Sequence, residues 1–178
     1  MAGQPGPLTL GGNFGRKGGG GEMGRMSDVE KLRSLAQLDV DAVGAYDAAI
    51  ARVKEPLVRE RLNEFRVDHV RHVQDLNAII SRLGGEPVEL RPDLKGAAMK
   101  GLTAMSSMMG TEAALVAMLG NEEFTNRAYD LALNFEWSPE VRILIEKNRR
   151  DEERHITWIR DAVRQRPWVA VEGAEVQA

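Results

Sequence analysis

The sequence predicts an all-α fold, a four-helix bundle built from two similar helical hairpins joined by one long connection. Three observations carry that prediction. Four stretches place apolar residues alternately three and four positions apart, each bounded by helix-capping or helix-stopping residues. No stretch shows the strict alternation of a half-buried strand. The chain also nearly repeats itself with a shift of 83 residues (128 − 45), which makes the second hairpin look like a copy of the first.

Taken in order, residues 1–26 hold ten of the eighteen glycines, including the run Gly18 to Gly21. Such a segment buries too little apolar surface to offset its ordering entropy, so a disordered tail is expected there. A phosphate-binding loop is excluded, because Lys17 is followed by Gly18 where that motif needs Ser or Thr. Ser27-Asp28-Val29-Glu30 forms a capping box, which makes Met26 a candidate translation start. The first helix runs from about Asp28 to Lys54. The second opens on Pro56, well placed at a first helical position, and stops at Gly84-Gly85. From Pro87 to Gly110 a shorter amphipathic pattern (Met99, Leu102, Met105, Met109) reads as a packing helix within the connection. The third helix runs from about Thr111 to Phe135. The fourth starts at Ser138-Pro139-Glu140 and fades near Pro167, leaving 168–178 as a flexible C-terminal tail. Residues 27–167 are thus expected to form one bundle domain with two short turns and one long crossover.

Composition narrows the function classes. A net charge of −3 leaves no basic footprint for nucleic acid. The absence of cysteine excludes disulfides, thiolate-held zinc, iron–sulfur clusters and a thiol nucleophile. No apolar run approaches the roughly 18 residues that span a bilayer, and the N-terminus has no apolar signal segment. A soluble cytoplasmic protein is the expectation, without nucleic-acid or membrane partners.

The repeat joins Ala45-Tyr46-Asp47 to Ala128-Tyr129-Asp130, and Ala49 to Ala132. It joins Pro56, Val58 and Arg59 to Pro139, Val141 and Arg142. Arg66, Asp68, Arg71 and His72 recur as Arg149, Asp151, Arg154 and His155. These eleven identities fall within positions 35 to 82, where unrelated sequence gives about three. Two such copies facing each other create a pseudo-symmetric centre, and its chemistry should be bilateral.

The inner stripe of each helix is apolar at both ends and polar in the middle. The first reads Leu32, Leu35, Asp39, Ala42, Tyr46, Ala49, Val53; the second, Val58, Leu62, Phe65, His69, His72, Leu76, Ile79. The third reads Leu115, Met118, Glu122, Thr125, Tyr129; the fourth, Val141, Ile145, Asn148, Glu152, His155, Ile159. Asp39, His69, His72, Glu122, Glu152 and His155 are the ionisable members, and they include all three histidines of the chain. Burying an unpaired charge costs on the order of several kcal/mol. Two divalent cations among these side chains would offset that cost and use every group. Imidazole nitrogen with carboxylate oxygen suits iron or manganese better than calcium. Glu64, Glu123 and Glu153 read as solvated face residues.

Here the residues reach a family resemblance. An acid from each of two helices and Glu-x-x-His from the others resembles the ferritin-like di-iron carboxylate bundles, a class for which that ligand pattern is the general rule. Glu152-Glu153-Arg154-His155-Ile156-Thr157-Trp158 is similar to the corresponding helix of bacterioferritin. Asp39 with Tyr46, and Glu122 with Tyr129, each an acid with a tyrosine seven positions on, resemble the two remaining helices. Residues 30–165, with the turn Leu83-Gly84-Gly85-Glu86-Pro87, also resemble small bacterial ferritin-like proteins of the domain-of-unknown-function 2383 type. The resemblance implies metal ligands at Asp39, His72, Glu122, Glu152 and His155, with two iron ions, or one, and manganese as the alternative. Asp68 and Asp151 would accept from the histidine across the centre, and Tyr46 and Tyr129 would hydrogen-bond the carboxylates. The implied activity is that of an oxidoreductase of ferroxidase type, acting with dioxygen or peroxide in iron or oxidative-stress handling. The alternative is a non-catalytic helical stress or interaction protein with a degenerate site.

Two positions depart from the ferritin-like pattern. Asp39 stands where Glu is usual, one methylene shorter, and His69 stands where the second helix would offer its bridging Glu. Three carboxylates then face two divalent ions where four would balance them, so one tight and one loose metal is the expected consequence, unless Asp68 swings in. In the tail, residues 8–16 (Leu8 to Arg16) resemble the tethered peptides that load cargo into encapsulin shells, which makes a shell protein a candidate partner. A homodimer is a further expectation; a ferritin-type cage is not, because one chain already holds the duplicated bundle.

Overall fold

The computed structural model describes residues 26–91 and 110–166, and these form four α-helices with no strand among them. They are α1 (Asp28–Ile50), α2 (Pro56–Arg82), α3 (Thr111–Ala132) and α4 (Pro139–Gln165). The expectations for the glycine-rich tail, for the Met-rich crossover helix at Met99 to Met109 and for residues 168–178 lie outside the described residues.

Local chemistry explains each end. The capping box at Ser27 closes α1: Glu30 N–H donates to Ser27 Oγ (3.2 Å), and Ser27 N–H donates to the Glu30 carboxylate (2.6 Å). α1 stops at Ile50 rather than at Lys54. Glu55, the residue before Pro56, is extended, as a pre-proline residue prefers, so the chain has to leave the helix before it. α2 ends in a Schellman motif, with Gly85 N–H on Ile80 O (2.9 Å) and Gly84 N–H on Ser81 O (3.0 Å). Gly84 has φ +77°, the left-handed conformation that the motif requires. Gly85 lies against α1 so closely that a Cβ there would clash with Val29 Cγ1. α3 ends at Ala132, three residues before Phe135, and side chains bond the carbonyls at and just beyond its end. Trp137 Nε1 donates to Ala132 O (2.7 Å), and Arg142 donates to Leu133 O and Phe135 O (3.3 and 3.0 Å). Arg59, the repeat partner of Arg142, does the same for Val53 O (2.7 Å). Ser138 caps α4, and Pro139 takes a position where no N–H is needed.

Around the bundle α1 contacts α2 and α3, and α4 contacts α2 and α3; α1 and α4 are diagonal, as are α2 and α3. One apolar cluster joins the start of α1 (Leu32, Leu35), the end of α2 (Leu76, Ile80), the end of α3 (Tyr129) and the start of α4 (Ile145). A second joins the opposite ends: Tyr46 and Ala49, Leu62 and Phe65, Leu115 and Met118, Ile159 and Ala162. Neighbouring helices are therefore antiparallel and diagonal ones parallel. The end of α2 and the start of α3 lie at opposite ends of the bundle, joined by 28 residues (111 − 82 − 1). Between the two clusters lies a polar layer. None of the described helices is long and apolar enough to cross a membrane.

Candidate metal centre

Asp39, His69, His72, Glu122, Glu152 and His155 are all 0 % exposed and meet in that layer. They form two four-residue groups whose donor atoms lie within 4.8 Å of one another. Asp39, His69, His72 and Glu152 make one; His69, Glu122, Glu152 and His155 make the other. His69 and Glu152 belong to both, and they are repeat partners (69 + 83 = 152).

The groups differ in how far they satisfy themselves. Both oxygens of Asp39 are engaged: Oδ1 faces His69 Nδ1 (2.9 Å) and His72 Nδ1 (3.3 Å), and Oδ2 accepts from Tyr129 O–H (2.7 Å). His72 Nε2 faces Asp151 Oδ2 (3.3 Å), so both its nitrogens meet carboxylates. In the other group Glu122 Oε1 accepts from Tyr46 O–H (2.6 Å), whereas Glu122 Oε2, both oxygens of Glu152, His69 Nε2 and His155 Nδ1 have no hydrogen-bond partner among the described residues. The spacings there are 3.5 Å from His69 Nε2 to Glu122 and 3.8 Å from His155 Nδ1 to Glu122. His155 presents Nδ1 inward because its Nε2 is held by Asp68 Oδ2 (3.1 Å). Five buried polar atoms without partners are a costly arrangement unless something occupies the space between them. Their donor set, two imidazole nitrogens and two carboxylates, fits a divalent transition ion.

The tyrosine bonds are crossed. Each tyrosine serves the acid of the other copy, Tyr46 reaching from α1 to Glu122 on α3, and Tyr129 from α3 to Asp39 on α1. The outer aspartates are crossed in the same way, since Asp68 on α2 holds His155 and Asp151 on α4 holds His72.

Sequence reading had not singled out four contributors to the site. Arg71 bonds Asp68 (2.6 Å) and Asp151 (2.5 Å); Arg154 bonds Asp151 (3.0 Å) and Asp68, closing a four-residue ring at the α2–α4 seam. Both arginines belong to the internal repeat, which was the signal available. Phe65 lies 4.3 Å from the His155 ring, tilted by 31°, and shields it from water. Asn126 Nδ2 donates to the backbone carbonyls of Glu122 (2.9 Å) and Glu152 (3.0 Å), tying α3 to α4 beside both acids.

Burial opposes charge on every group here, and neighbours decide the outcome. For Asp39 burial works upward, yet the His69 and His72 hydrogen bonds outweigh it and hold the carboxyl at about 2. Burial likewise works against charge on His72, but Asp151, Asp39 and Glu152 lift it to about 10. His69 is raised well above its ordinary value despite burial, by Glu152, Asp39 and Glu122. Glu122 is lowered, chiefly by His69 acting against burial. Burial dominates at Glu152, pushing it up to about 7, and at His155, pushing the imidazole down and favouring its neutral form. Burial also raises both tyrosines, so they stay protonated donors.

No curated protein matches the chain, and no solved structure matches it. A family model described as a domain of unknown function, DUF2383, matches residues 27–135. That span contains α1, α2 and α3 with Asp39, His69, His72 and Glu122, while Glu152 and His155 lie beyond it on α4. With 109 of 178 residues matched (135 − 27 + 1), the chain belongs to the DUF2383 family.

Proposed function

We propose that the chain is a ferritin-like metal protein that oxidises ferrous iron with dioxygen or peroxide, manganese being the alternative ion. The observation that carries this reading is the pair of interlocked, fully buried four-donor groups sharing His69 and Glu152. Two ferrous ions supply two electrons, which with two protons take dioxygen to hydrogen peroxide or hydrogen peroxide to two waters. The chain's own residues do the rest. Glu122, Glu152, His155 and His69 hold the charge, and the tyrosine hydroxyls orient the carboxylates. Phe65 packs on the His155 ring, and Asp68 and Asp151, mostly buried, link the centre to the surface. Anaerobic loading with ferrous iron followed by air tests it. A near-ultraviolet ferric band and oxygen uptake, both missing from Glu122→Ala, are expected; their absence from the natural chain would overturn the reading.

A second reading has its own support. Asp39 and Glu122 are held ionised while His69 and His72 are held protonated, so the ion-free centre already balances most of its charge. A non-catalytic helical protein with a degenerate site would look like this. Elemental analysis after purification without chelator separates the two: stoichiometric iron or manganese that is lost in His155→Ala argues for the first, and its absence for the second.

A further inference from the structure

We infer that the two groups fill unequally: the first divalent transition ion goes to His69 Nε2, Glu122, Glu152 and His155 Nδ1, while Asp39 is a positioning residue that holds His69 rather than a ligand. This rests on the proposed metal-binding function and specifies how the site is used.

A carboxylate only accepts hydrogen bonds, so the His69 nitrogen 2.9 Å from Asp39, Nδ1, carries the hydrogen. The hydrogen that a cation can displace from His69 is therefore the one on Nε2, which faces Glu122 at 3.5 Å and has no hydrogen-bond partner. His155 is arranged alike: Asp68 takes the Nε2 hydrogen, and Nδ1 is left facing Glu122 without a partner. A backbone-anchored or carboxylate-anchored imidazole is the usual device for fixing a metal-binding histidine. Glu152 Oε1 lies 3.3 Å from His72 Nδ1 and 3.5 Å from His69 Nδ1, which leaves Oε2 as its free oxygen, and Glu122 likewise keeps Oε2 free. The measured spacings of 3.5 and 3.8 Å are close to the edge of about 3.4 Å formed by donors with arms of about 2.1 Å in a tetrahedral set.

Nothing comparable awaits an ion on the other side. Three of the roughly four acceptor positions of the Asp39 carboxylate are taken, by His69, His72 and Tyr129, and both nitrogens of His72 face carboxylates. An ion entering there must break several of these bonds first. It would also need His69, whose neutral ring has one lone pair and cannot serve two ions. Glu in that position could have bridged; His cannot without losing a second proton. The second ion therefore arrives as a weakly held substrate, and the first stays.

The test uses the full chain, stripped with chelator and titrated with Mn²⁺ by calorimetry, with elemental analysis after desalting and the manganese paramagnetic resonance spectrum as structural readout. One ion per chain retained through desalting, with the spectrum of an isolated ion, is expected, and a second step at least about 100-fold weaker. Glu122→Gln and His155→Ala should abolish retention. Asp39→Ala should weaken binding about 10- to 100-fold at unchanged stoichiometry, and Asp39→Asn, whose amide oxygen still accepts from His69, should restore it. Two ions of equal tightness with a coupled spectrum, or retention lost in Asp39→Asn and kept in His155→Ala, overturn this inference and leave metal binding standing. A natural chain that retains no Mn²⁺, Fe²⁺ or Zn²⁺ overturns both.

Discussion

In the α1–α2 hairpin Arg66 Nε meets Asp47 Oδ1 at 2.5 Å, and in the α3–α4 hairpin Arg149 Nε meets Asp130 Oδ1 at the same 2.5 Å. The outer faces of the two copies are alike down to such contacts, and inside they share Tyr46 with Tyr129 and His72 with His155, but three inner positions differ. Where the second copy carries Glu122, Glu152 and Asn148, the first has Asp39, His69 and Phe65 at the same repeat positions. In the first set Asp39 is bonded by His69, His72 and Tyr129 and only His69 Nε2 stays open, whereas the second leaves Glu122 Oε2 and both oxygens of Glu152 without a hydrogen-bond partner. A duplicated scaffold thus holds one satisfied half and one unsatisfied half, and the difference comes from three side chains rather than from the backbone.

The strongest way to break this comparison is to make the halves alike. His69→Glu removes the imidazole that Asp39 accepts from and adds a buried carboxylate. Breaking a buried charged pair costs about 3–5 kcal/mol, so urea unfolding of the chelated variant should show a loss of that order. Saturating manganese should return most of it. A chelated variant as stable as the natural chain would remove the basis for calling the first half self-satisfied.

The tyrosines give a smaller and more selective effect. Tyr46→Phe leaves Glu122 without any donor in hydrogen-bonding geometry, whereas Tyr129→Phe leaves Asp39 with two imidazoles. Hydrogen bonds to charged groups contribute about 1.5–3 kcal/mol. The expected losses in the chelated protein are about 3 kcal/mol for Tyr46→Phe and about half that for Tyr129→Phe, by denaturant unfolding. The reverse order would mean that Asp39 depends on Tyr129 more than its other partners imply.

Proton linkage separates Asp39 from Glu152 by sign. Asp39, held at about 2 in the folded chain, contributes stability at pH above the ordinary carboxylate range that is lost as pH falls towards 2. Glu152, raised to about 7, acts oppositely: its contribution is present below about 4.5 and is lost as pH rises through 7, because the unfolded chain ionises first. In chelator, Glu152→Gln should therefore gain on the natural chain between pH 5 and 8, reaching about 1–2 kcal/mol. A gap that stays flat across that range in thermal melts would show that Glu152 is already ionised.

The smallest effect expected is at the ring over the α2–α4 seam. Arg71 and Arg154 are 37 % and 53 % exposed, and pairs in water contribute about 0–1 kcal/mol. Arg71→Ala and Arg154→Ala should each lose less than about 1 kcal/mol and match within error, since each arginine touches the same two aspartates. A marked inequality would extend the asymmetry of the centre to its surface.

Much of this fold was legible along the chain. The capping box at Ser27, Pro56 and Pro139 at helix starts, and Gly84-Gly85 at the end of α2 are local signals, and all four helices formed there. The ends expected at Lys54 and Phe135 came earlier, for reasons that a stripe of apolar residues does not report: the pre-proline conformation at Glu55, and side chains of Trp137 and Arg142 that reach back to carbonyls at the end of α3. At the centre, the interruption of four apolar stripes at one height marked six side chains that do meet, while Phe65 and Asn126 gave no such mark. Phe65 sat unnoticed as an ordinary stripe residue, and Asn126 lies off the stripe on which its neighbours were read.

The sequence by itself determined that six ionisable side chains share one layer, because helical periodicity and the repeat are properties of the chain read locally. Only the tertiary structure decided which nitrogen faces which oxygen. Tyr46 meets Glu122 across 76 positions and Tyr129 meets Asp39 across 90, and the choice between saturated and open carboxylates turns on a methylene's length and the spacing of four helices. Those distances arise when the two apolar clusters close above and below the layer, and no residue-by-residue rule contains them.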